Sequence, residues 1–411
     1  MPQERVVLKH CGIIDPGDIE TYLARGGFQA LQKAQEEMVP QEIVAAVKAS
    51  GLRGRGGAGF SCGLKWELAR GAPGEEKFII VNADESEMGT FKDRFLLQQD
   101  PFTLIEGLAI AARAIGATQA YIYLRAEYHR LLPGLDRALD QVRAKGFLGG
   151  LPITVFEGAG AYICGEESAL MESIEGRRGE PRLRPPFPTT SGLWGRPTVI
   201  HNVETLMNLP AILNRGPAWF HGLGTAESAG TKVFSISGDV ARPDVYELVL
   251  GSTLRELVMD LAGAERVQAV QVGGAGGRLL PAKQLDTPLC FEAVLGSGGV
   301  VVFNETRDMI EVVFRSVSFL AEESCGQCTP CREGTEVLLE VLERMVRGDG
   351  AAGDLDTLQI LAGVLADASL CGLGQSTAVL LRDALAYFRA DFENRIAQAV
   401  YLRGLPAQRP A

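Results

Sequence analysis

The spacing of apolar and polar residues changes three times along the chain. Residues 18–33 and 39–51 repeat their apolar positions at helical spacing, the second stretch with Pro40 near its start and Gly51 at its end, so both read as helices. From residue 77 the pattern shortens. Apolar runs at 78–82, 120–124 and 153–156 read as strands, alternating with helical stretches at 103–115, 127–145 and 166–174. This βαβαβα alternation predicts a Rossmann-like α/β layer built on a parallel, doubly wound sheet. Between residues 231 and 304 the strands crowd together, at 233–237, 245–250, 267–272 and 300–303, around one helix opened by Thr253-x-x-Glu256. That ββαββ order predicts a β-grasp, ubiquitin-like unit. From 307 to 402 helical spacing returns, broken at the cysteine loop near 325, at 348–353 and around 371, as in a helical bundle. The expected units are 1–75 (N-terminal helices and a glycine loop), 76–228 (α/β), 229–306 (β-grasp) and 307–411 (helical).

Composition narrows the function classes. A net charge of -11 disfavours nucleic acid or an anionic membrane surface as partner. No apolar run approaches the roughly 20 residues of a spanning helix, and the opening residues lack a basic stretch followed by an apolar core. A cytoplasmic protein with no direct membrane insertion is expected. Eight cysteines in that setting point to metal or redox chemistry rather than disulfides.

The chemistry gathers in three places. Cys325, Cys328 and Cys331 stand at C-x-x-C-x-x-C spacing, which lets three thiolates wrap one corner of an iron–sulfur cubane but crowds a single zinc ion. For the fourth ligand Cys371, also flanked by glycine, is favoured; Cys11, Cys62, Cys164 and Cys290 are the alternatives. The second place is Gly-Leu-Arg-Gly-Arg-Gly-Gly-Ala-Gly-Phe at 51–60. It fits G-x-G-x-x-G but follows a helix rather than a strand, so it is no ordinary Rossmann fingerprint. Its amides, with Arg53, Arg55 and Lys65 nearby, suit a phosphate. The third is the pair of stretches after the first and third strands, which bring Asp84, Glu85, Glu87, Glu166 and Glu167 to one sheet edge, where such folds bind ligands. Gly273-Gly-Ala-Gly-Gly277 reads as a turn, and the proline-rich 182–192 segment, with Phe187 in it, as a loop over the layer.

Four motifs in order, Gly-Arg-Gly-Gly-Ala-Gly-Phe (54–60), Asn-Ala-Asp-Glu-Ser-Glu (82–87), Gly-Ala-Tyr-Ile-Cys-Gly-Glu-Glu (160–167) and Glu-Ser-Cys-Gly-Gln-Cys-Thr-Pro-Cys-Arg-Glu-Gly (323–334), resemble the flavin subunit of respiratory complex I, the F subunit of NADH-quinone oxidoreductase. The likeness runs over nearly the whole chain. It implies that the α/β domain binds FMN, that NADH (NAD) is the substrate and that the helical domain carries one 4Fe-4S cluster. By the resemblance, Gly54, Arg55, Gly56, Gly57, Lys65, Asn82, Asp84, Tyr162, Gly165, Glu166 and Asn202 would contact FMN. Phe60, Lys65, Glu87, Glu167 and Phe187 would contact NADH, with Glu87 and Glu167 positioning nicotinamide or ribose. Cys325, Cys328, Cys331 and Cys371 would ligate the cluster, leaving Cys164 as a packing thiol.

The sequence departs from the family pattern at three positions. His201 stands where an asparagine is usual and would take over one flavin contact; Met88 replaces a proline after Glu87; Leu68 replaces a second aromatic near the adenine. The resemblance implies hydride transfer from NADH to FMN and single-electron exit through the cluster. It also implies partners: a thioredoxin-like 2Fe-2S subunit and a larger multi-cluster iron–sulfur subunit, through which the chain would sit on the inner face of the cell membrane. With no ferredoxin-like extension, complex I is expected ahead of the diaphorase subunits of soluble hydrogenases, formate dehydrogenases or bifurcating enzymes. A cluster-bearing scaffold without flavin is the alternative of another class.

Overall fold

The computed structural model describes residues 4–404; residues 1–3 and 405–411, the outer ends of the first and last expected units, lie outside it. The first expected helix is two, α1 (Ile19–Leu23) and α2 (Gln29–Glu36). Phe28 breaks it with φ 63°, which lets its ring stack on Phe147 at 4.3 Å and meet Tyr22 edge-on at 5.3 Å. Gly27 makes the approach possible, because a Cβ there would sit 2.1 Å from the Tyr22 ring. Helix α3 (Pro40–Ala49) starts on its proline as expected, and α4 (Cys62–Gly71) follows the glycine loop.

The α/β layer runs β1 (Phe78–Ala83), α5 (Lys92–Gln99), α6 (Pro101–Ile115), β2 (Gln119–Leu124), α7 (Leu132–Ala144), β3 (Ile153–Glu157), α8 (Glu167–Ile174), β4 (Thr198–Asn202), α9 (Val203–Met207), α10 (Leu209–Arg215) and α11 (Pro217–His221). Its four strands are parallel in the order β3-β2-β1-β4. The sequence pattern indicates three of them. β4 escapes it because five residues ending in His-Asn make a weak apolar signal, yet β4 decides where the site lies. The chain leaves β1 toward β2 on one side and returns to β4 on the other, so the sheet opens a crevice between their carboxyl ends. There Asn82 and Asn202 are register partners.

The next sheet comprises β5 (Thr231–Gly238), β6 (Asp244–Val249), β7 (Val267–Val272), β8 (Arg278–Pro281) and β9 (Gly299–Asn304), in the β-grasp order β6-β5-β9-β7-β8. Its longer helical segment, Glu256–Leu261, is capped as expected by Thr253 Oγ1, which accepts from the Glu256 amide at 3.2 Å. This sheet is buried on both faces. Along β5, Phe234 and Ile236 join its own core while Val233 joins that of the α/β layer; along β7 and β8, Val270 and Leu280 face inward while Ala269 and Leu279 join the core of the helical unit.

That last unit is α12 (Met309–Glu322), α13 (Thr329–Val346), α14 (Asp354–Ala368), α15 (Gly372–Tyr387) and α16 (Arg389–Gly404). Asp383 of α15 fixes it to the β-grasp sheet, accepting from Arg278 Nε at 2.6 Å and from the Leu279 amide at 3.0 Å. Among the described residues no helix is long and apolar enough to cross a membrane.

The support beneath β4 rests on one close approach. Gly107 of α6 packs on α9 so closely that a Cβ would lie 2.2 Å from the Leu206 carbonyl oxygen. Gly107→Ala should therefore cost about 1–3 kcal/mol of stability in thermal or urea unfolding, whereas Gly116→Ala, with open space around it, should cost less despite its positive φ. Equal losses at both positions would contradict this packing.

Candidate functional site

A cavity of about 260 Å³ fills the crevice at the carboxyl ends of β1 and β4. All four units contribute to its wall: Gly56 from the glycine loop, Asn82, Asp84 to Glu87 and Asn202 from the strand ends, Ser297 from the β-grasp unit, and Cys371 to Leu373 from the helical unit. Tyr162, Gly165 and Glu166 close the remaining side.

The glycine loop is held from behind by Arg55. Its guanidinium is completely buried and donates only to main-chain carbonyls, to Thr231 at 3.0 Å, Ala229 at 2.6 Å and Arg53 at 3.0 Å. Its own amide donates to Thr205 Oγ1 at 2.8 Å. The expected phosphate-facing cation is thus a staple for the loop, and the cavity wall is formed by bare backbone. Gly56 lies against Asn202, where a Cβ would approach the asparagine Cβ to 3.0 Å; Gly59, at φ +65°, fits under the Phe291 ring. Gly54 and Gly57 have no comparably close neighbour.

Four of the five expected carboxylates, Asp84, Glu85, Glu87 and Glu166, line the cavity, Glu167 does not, and the five differ in their surroundings. Asp84 is half-buried, but its Oδ2 is enclosed and has no hydrogen-bond partner. Burial pushes its carboxyl up to about 7. An orphaned acceptor in the wall of a cavity fits a ligand that brings N–H or O–H donors, as a flavin does. Asn82 is fixed beside it, donating to the Gly165 carbonyl at 2.8 Å. Glu85 is a structural clamp that accepts from the Asp93 and Arg94 amides at 2.7 and 2.9 Å and from Tyr128 at 3.0 Å. Glu87 accepts from Tyr162 at 2.8 Å and from the Ala275 amide at 2.9 Å, and burial raises its carboxyl despite those bonds. The glycine stretch 273–277 is therefore more than a turn. A Cβ on Gly274 would fall 1.9 Å from Glu87, so only glycine lets this loop close over that carboxylate.

Glu166 caps α8, accepting from the Ser168 and Ala169 amides at 2.9 Å, and also meets Arg184. Glu167 points to the other side of the cap. Lys65 reaches it at 2.9 Å and also donates to the Ile200 carbonyl at 3.0 Å, while Arg184 lies at 3.3 Å. Burial pushes the Glu167 carboxyl up, but Lys65 and Arg184 outweigh it and leave it below the usual range. Phe60 and Phe187 are 50 % and 55 % exposed, unusual for free phenylalanine faces, and Leu68 is equally open at 50 %.

His201 corrects an expectation. Alternation along β4 sends Asn202 to the cavity and His201 away from it, and the His201 ring is buried with Nε2 accepting from the Trp66 indole at 2.7 Å. Burial and the Lys65 charge hold it neutral. Lys92 and Asp93 are cavity residues that sequence reasoning passes over. The signal for them is a Lys-Asp-Arg run directly after an apolar Phe91, in a stretch already rich in carboxylates.

Cys325, Cys328, Cys331 and Cys371 line one small pocket behind this cavity. Cys328 and Cys371 are the N-cap residues of α13 and α15 and Cys331 is in the first turn of α13, so two helix N-termini face the thiols, a favourable setting for anionic sulfur. Ser324 Oγ is 3.3 Å from Cys331 Sγ, and Gly374 leaves its neighbour room, since a Cβ there would be 3.2 Å from Cys331 Cβ. Among the described residues no three such ligands gather tightly enough for a single ion. Four thiols around a shared void fit a cubane instead. Cys164 lies outside this pocket, packed beside Gly179, and Cys11, Cys62 and Cys290 do not line it either. Ile163, Cys371 and Leu373 line both spaces, so one layer of side chains separates them.

Residues 47–211 match the family model of the Nuo51 FMN-binding domain, and residues 311–395 that of the NADH-ubiquinone oxidoreductase-F iron-sulfur binding region. The chain is 44% identical to the second F subunit (F 2) of NADH-quinone oxidoreductase from Rhizobium meliloti (strain 1021), over 96% of this chain and 98% of the relative. It is 42% identical to the HndC subunit of the NADP-reducing hydrogenase of Solidesulfovibrio fructosivorans, over 96% and 84%. It is 41% identical to the NADH-quinone oxidoreductase F subunit of Escherichia coli (strain K12), over 92% and 90%. Among solved structures it superposes on a chain of an NAD+-reducing NiFe-hydrogenase in the H2-reduced state with a TM-score of 0.88 and 42% identity, covering 96% of this chain and 67% of that one.

Two measurements check the site. Cys371→Ser should abolish the cluster signal in electron paramagnetic resonance of the reduced protein, while Cys164→Ser should keep it. For Asp84, the folded protein retains up to about pH 7 a proton that the unfolded chain releases near 3.8. Stability of the flavin-free protein should fall as pH rises through that window. Asp84→Asn should gain on wild type by on the order of a few kcal/mol between pH 4.5 and 8 in urea unfolding. A pH-independent gap would contradict an enclosed carboxyl whose Oδ2 lacks a partner.

Proposed function

The chain belongs to the family of NADH-quinone oxidoreductase F subunits, oxidoreductase subunits with an FMN-binding domain and a 4Fe-4S domain, and we propose that it is the NADH dehydrogenase unit of such a complex. The observation that carries this reading is the shared wall: Ile163, Cys371 and Leu373 stand between a ligand-sized cavity with an orphaned acceptor and a pocket of four cysteines. Bound FMN supplies the exchange between a two-electron donor, the nicotinamide of NADH, and a one-electron acceptor, the cluster.

The chain supplies place and orientation. Asn82, Asp84 and Asn202 would hold the flavin from the strand ends, and the bare backbone of the glycine loop would let it approach closely. Tyr162 and Glu87, bonded to each other at 2.8 Å, would meet the nicotinamide side, with Gly274 and Ala275 closing over Glu87 against water. Lys65, Glu167 and Arg184 form the charged rim of the mouth, suited to ribose hydroxyls and a diphosphate. Phe60 and Phe187 would offer the faces for adenine. Cys325, Cys328, Cys331 and Cys371 would hold the cluster.

With one cluster site, the chain passes electrons to other proteins. A thioredoxin-like 2Fe-2S subunit and a larger multi-cluster subunit are the partners we assign, with attachment to the inner face of the membrane only through them. The hydrogenase relatives support a second reading, a diaphorase subunit of a soluble NAD-linked hydrogenase or formate dehydrogenase. Co-purification from the native host with membrane subunits favours the first, and with a hydrogen- or formate-oxidising subunit the second.

Glu167→Gln removes one charge-assisted contact at the mouth and should lower kcat/KM for NADH about 10- to 100-fold with ferricyanide as acceptor, leaving the cluster spectrum unchanged. An unaltered kcat/KM would remove Glu167 from the nucleotide site.

A further inference from the structure

Beneath the cavity floor lies a set of buried charges that the roles above do not use. Lys92 and Lys232 both reach the same oxygen of Glu204, at 3.0 and 2.7 Å, and none of the three side chains is more than 1 % exposed. Lys92 also meets Asp93 at 2.7 Å and Asn202 Oδ1 at 3.1 Å, and Asp93 accepts from Asn202 Nδ2 at 2.6 Å. Lys92, Asp93 and Asn202 line the cavity; Glu204 and Lys232 stand behind them. Lys232 belongs to β5 and is tied to the β-grasp side, donating to the carbonyls of Ser297 at 3.0 Å and Val233 at 3.2 Å.

Taking such groups out of water is costly, and well-packed apolar side chains would serve stability at least as well. Two ammonium groups on one carboxylate oxygen therefore call for a reason beyond holding the fold. We propose that Lys92 sets the reduction potential of the flavin, as a cation fixed in the cavity wall by Asp93 and Glu204 and steadied from the β-grasp side by Lys232. The inference rests on the flavin reading above.

The charge balance supports it. Burial opposes the Lys92 charge, but Asp93, Glu204 and Glu85 outweigh it and raise its pKa above the ordinary lysine value. Burial lowers Lys232 to about 7 against the pull of its main counter-charge, Glu204. Glu85 is pushed up to about 7 by burial and by Asp93, so near neutrality it carries only part of its negative charge. Lys92 and its counter-charge Asp93 both touch the cavity on this side, and the cation, held from behind by Glu204, stands in a water-poor wall where it favours electrons added to a ligand beside it.

The test is an anaerobic, mediator-assisted spectroelectrochemical titration of the FMN-loaded full chain, which needs no NADH. Lys92→Met should move the FMN couple to more negative potential by at least tenfold in its equilibrium constant, about 30 mV for two electrons, and Lys92→Arg should restore it to within about threefold of wild type. Should Lys92→Met fail to retain FMN, Asp93→Asn, which removes the counter-charge and leaves the cation, should move the couple in the positive direction. A purely structural role would change FMN affinity and stability without these opposed shifts. Unchanged potential in Lys92→Met, or no positive shift in Asp93→Asn, overturns the proposal, whereas a wild-type chain that binds no FMN overturns the flavin reading itself.

Discussion

The burial of Glu204 is the constraint on which the site's architecture depends. A carboxylate with no exposed surface is costly unless it is paired and hydrogen-bonded, and Glu204 has three such partners. Its Oε1 accepts from the Val233 amide at 2.8 Å and its Oε2 from Lys232 at 2.7 Å, while Lys92 forms an ion pair with Oε2 at 3.0 Å. The short segment that carries it reaches several places: Asn202 lines the cavity, Val203 and Glu204 start α9, and Thr205 takes the amide of Arg55 from the glycine loop. Glycine loop, sheet edge, α5 and β-grasp sheet are thereby locked in one register around the crevice that the strand order opens.

Given that frame, the rest of the site follows from close approaches. The cavity has walls from every unit of the fold because the β-grasp sheet is covered on both faces, by the α/β layer on one side and by the helical unit on the other. That sandwich brings Gly274 and Ser297 to the cavity from one side and Cys371 from another. The cysteine pocket sits at helix starts, where dipoles favour the negative charge of thiolates and sulfide. In the cluster-free chain, burial together with Cys325 and Cys331 pushes the Cys371 thiol up to about 11, so its thiolate forms only against a metal. Donor cavity and acceptor pocket are thus neighbours by construction, with Tyr162 joined to both: its hydroxyl to Glu87 and its amide to Glu323 at 3.0 Å, two residues before the first cysteine.

Much of this was legible in the sequence, for identifiable reasons. The cysteine triplet declares itself by spacing, and the glycine loop by its run of small residues after a helix. Seven of the nine strands and most helices among the described residues follow from period alone. What escaped is short, polar or conformationally special. β4 and β8 are five and four residues long and end in His-Asn and in proline. The helix break at Phe28 depends on a left-handed residue that gains a ring stack on the distant Phe147. Lys232 lies one residue before the expected strand 233–237, on the same face as Phe234 and Ile236, and nothing in its spacing marks it as buried against Glu204. Arg55 has the composition of a phosphate ligand and the geometry of a staple. His201 is next to a cavity residue in sequence and on the opposite face of the strand in space.

On the function proposed above, one chain takes electrons from a nicotinamide at the cavity and delivers them to the four-cysteine pocket behind it. An anaerobic titration of the purified, FMN- and iron-reconstituted chain with NADH, followed together by visible absorption and electron paramagnetic resonance, tests this most directly. Bleaching of the flavin band with a reduced 4Fe-4S signal appearing in the same samples is the predicted result. A flavin that bleaches while the cluster, reducible by dithionite, never responds to NADH would contradict it.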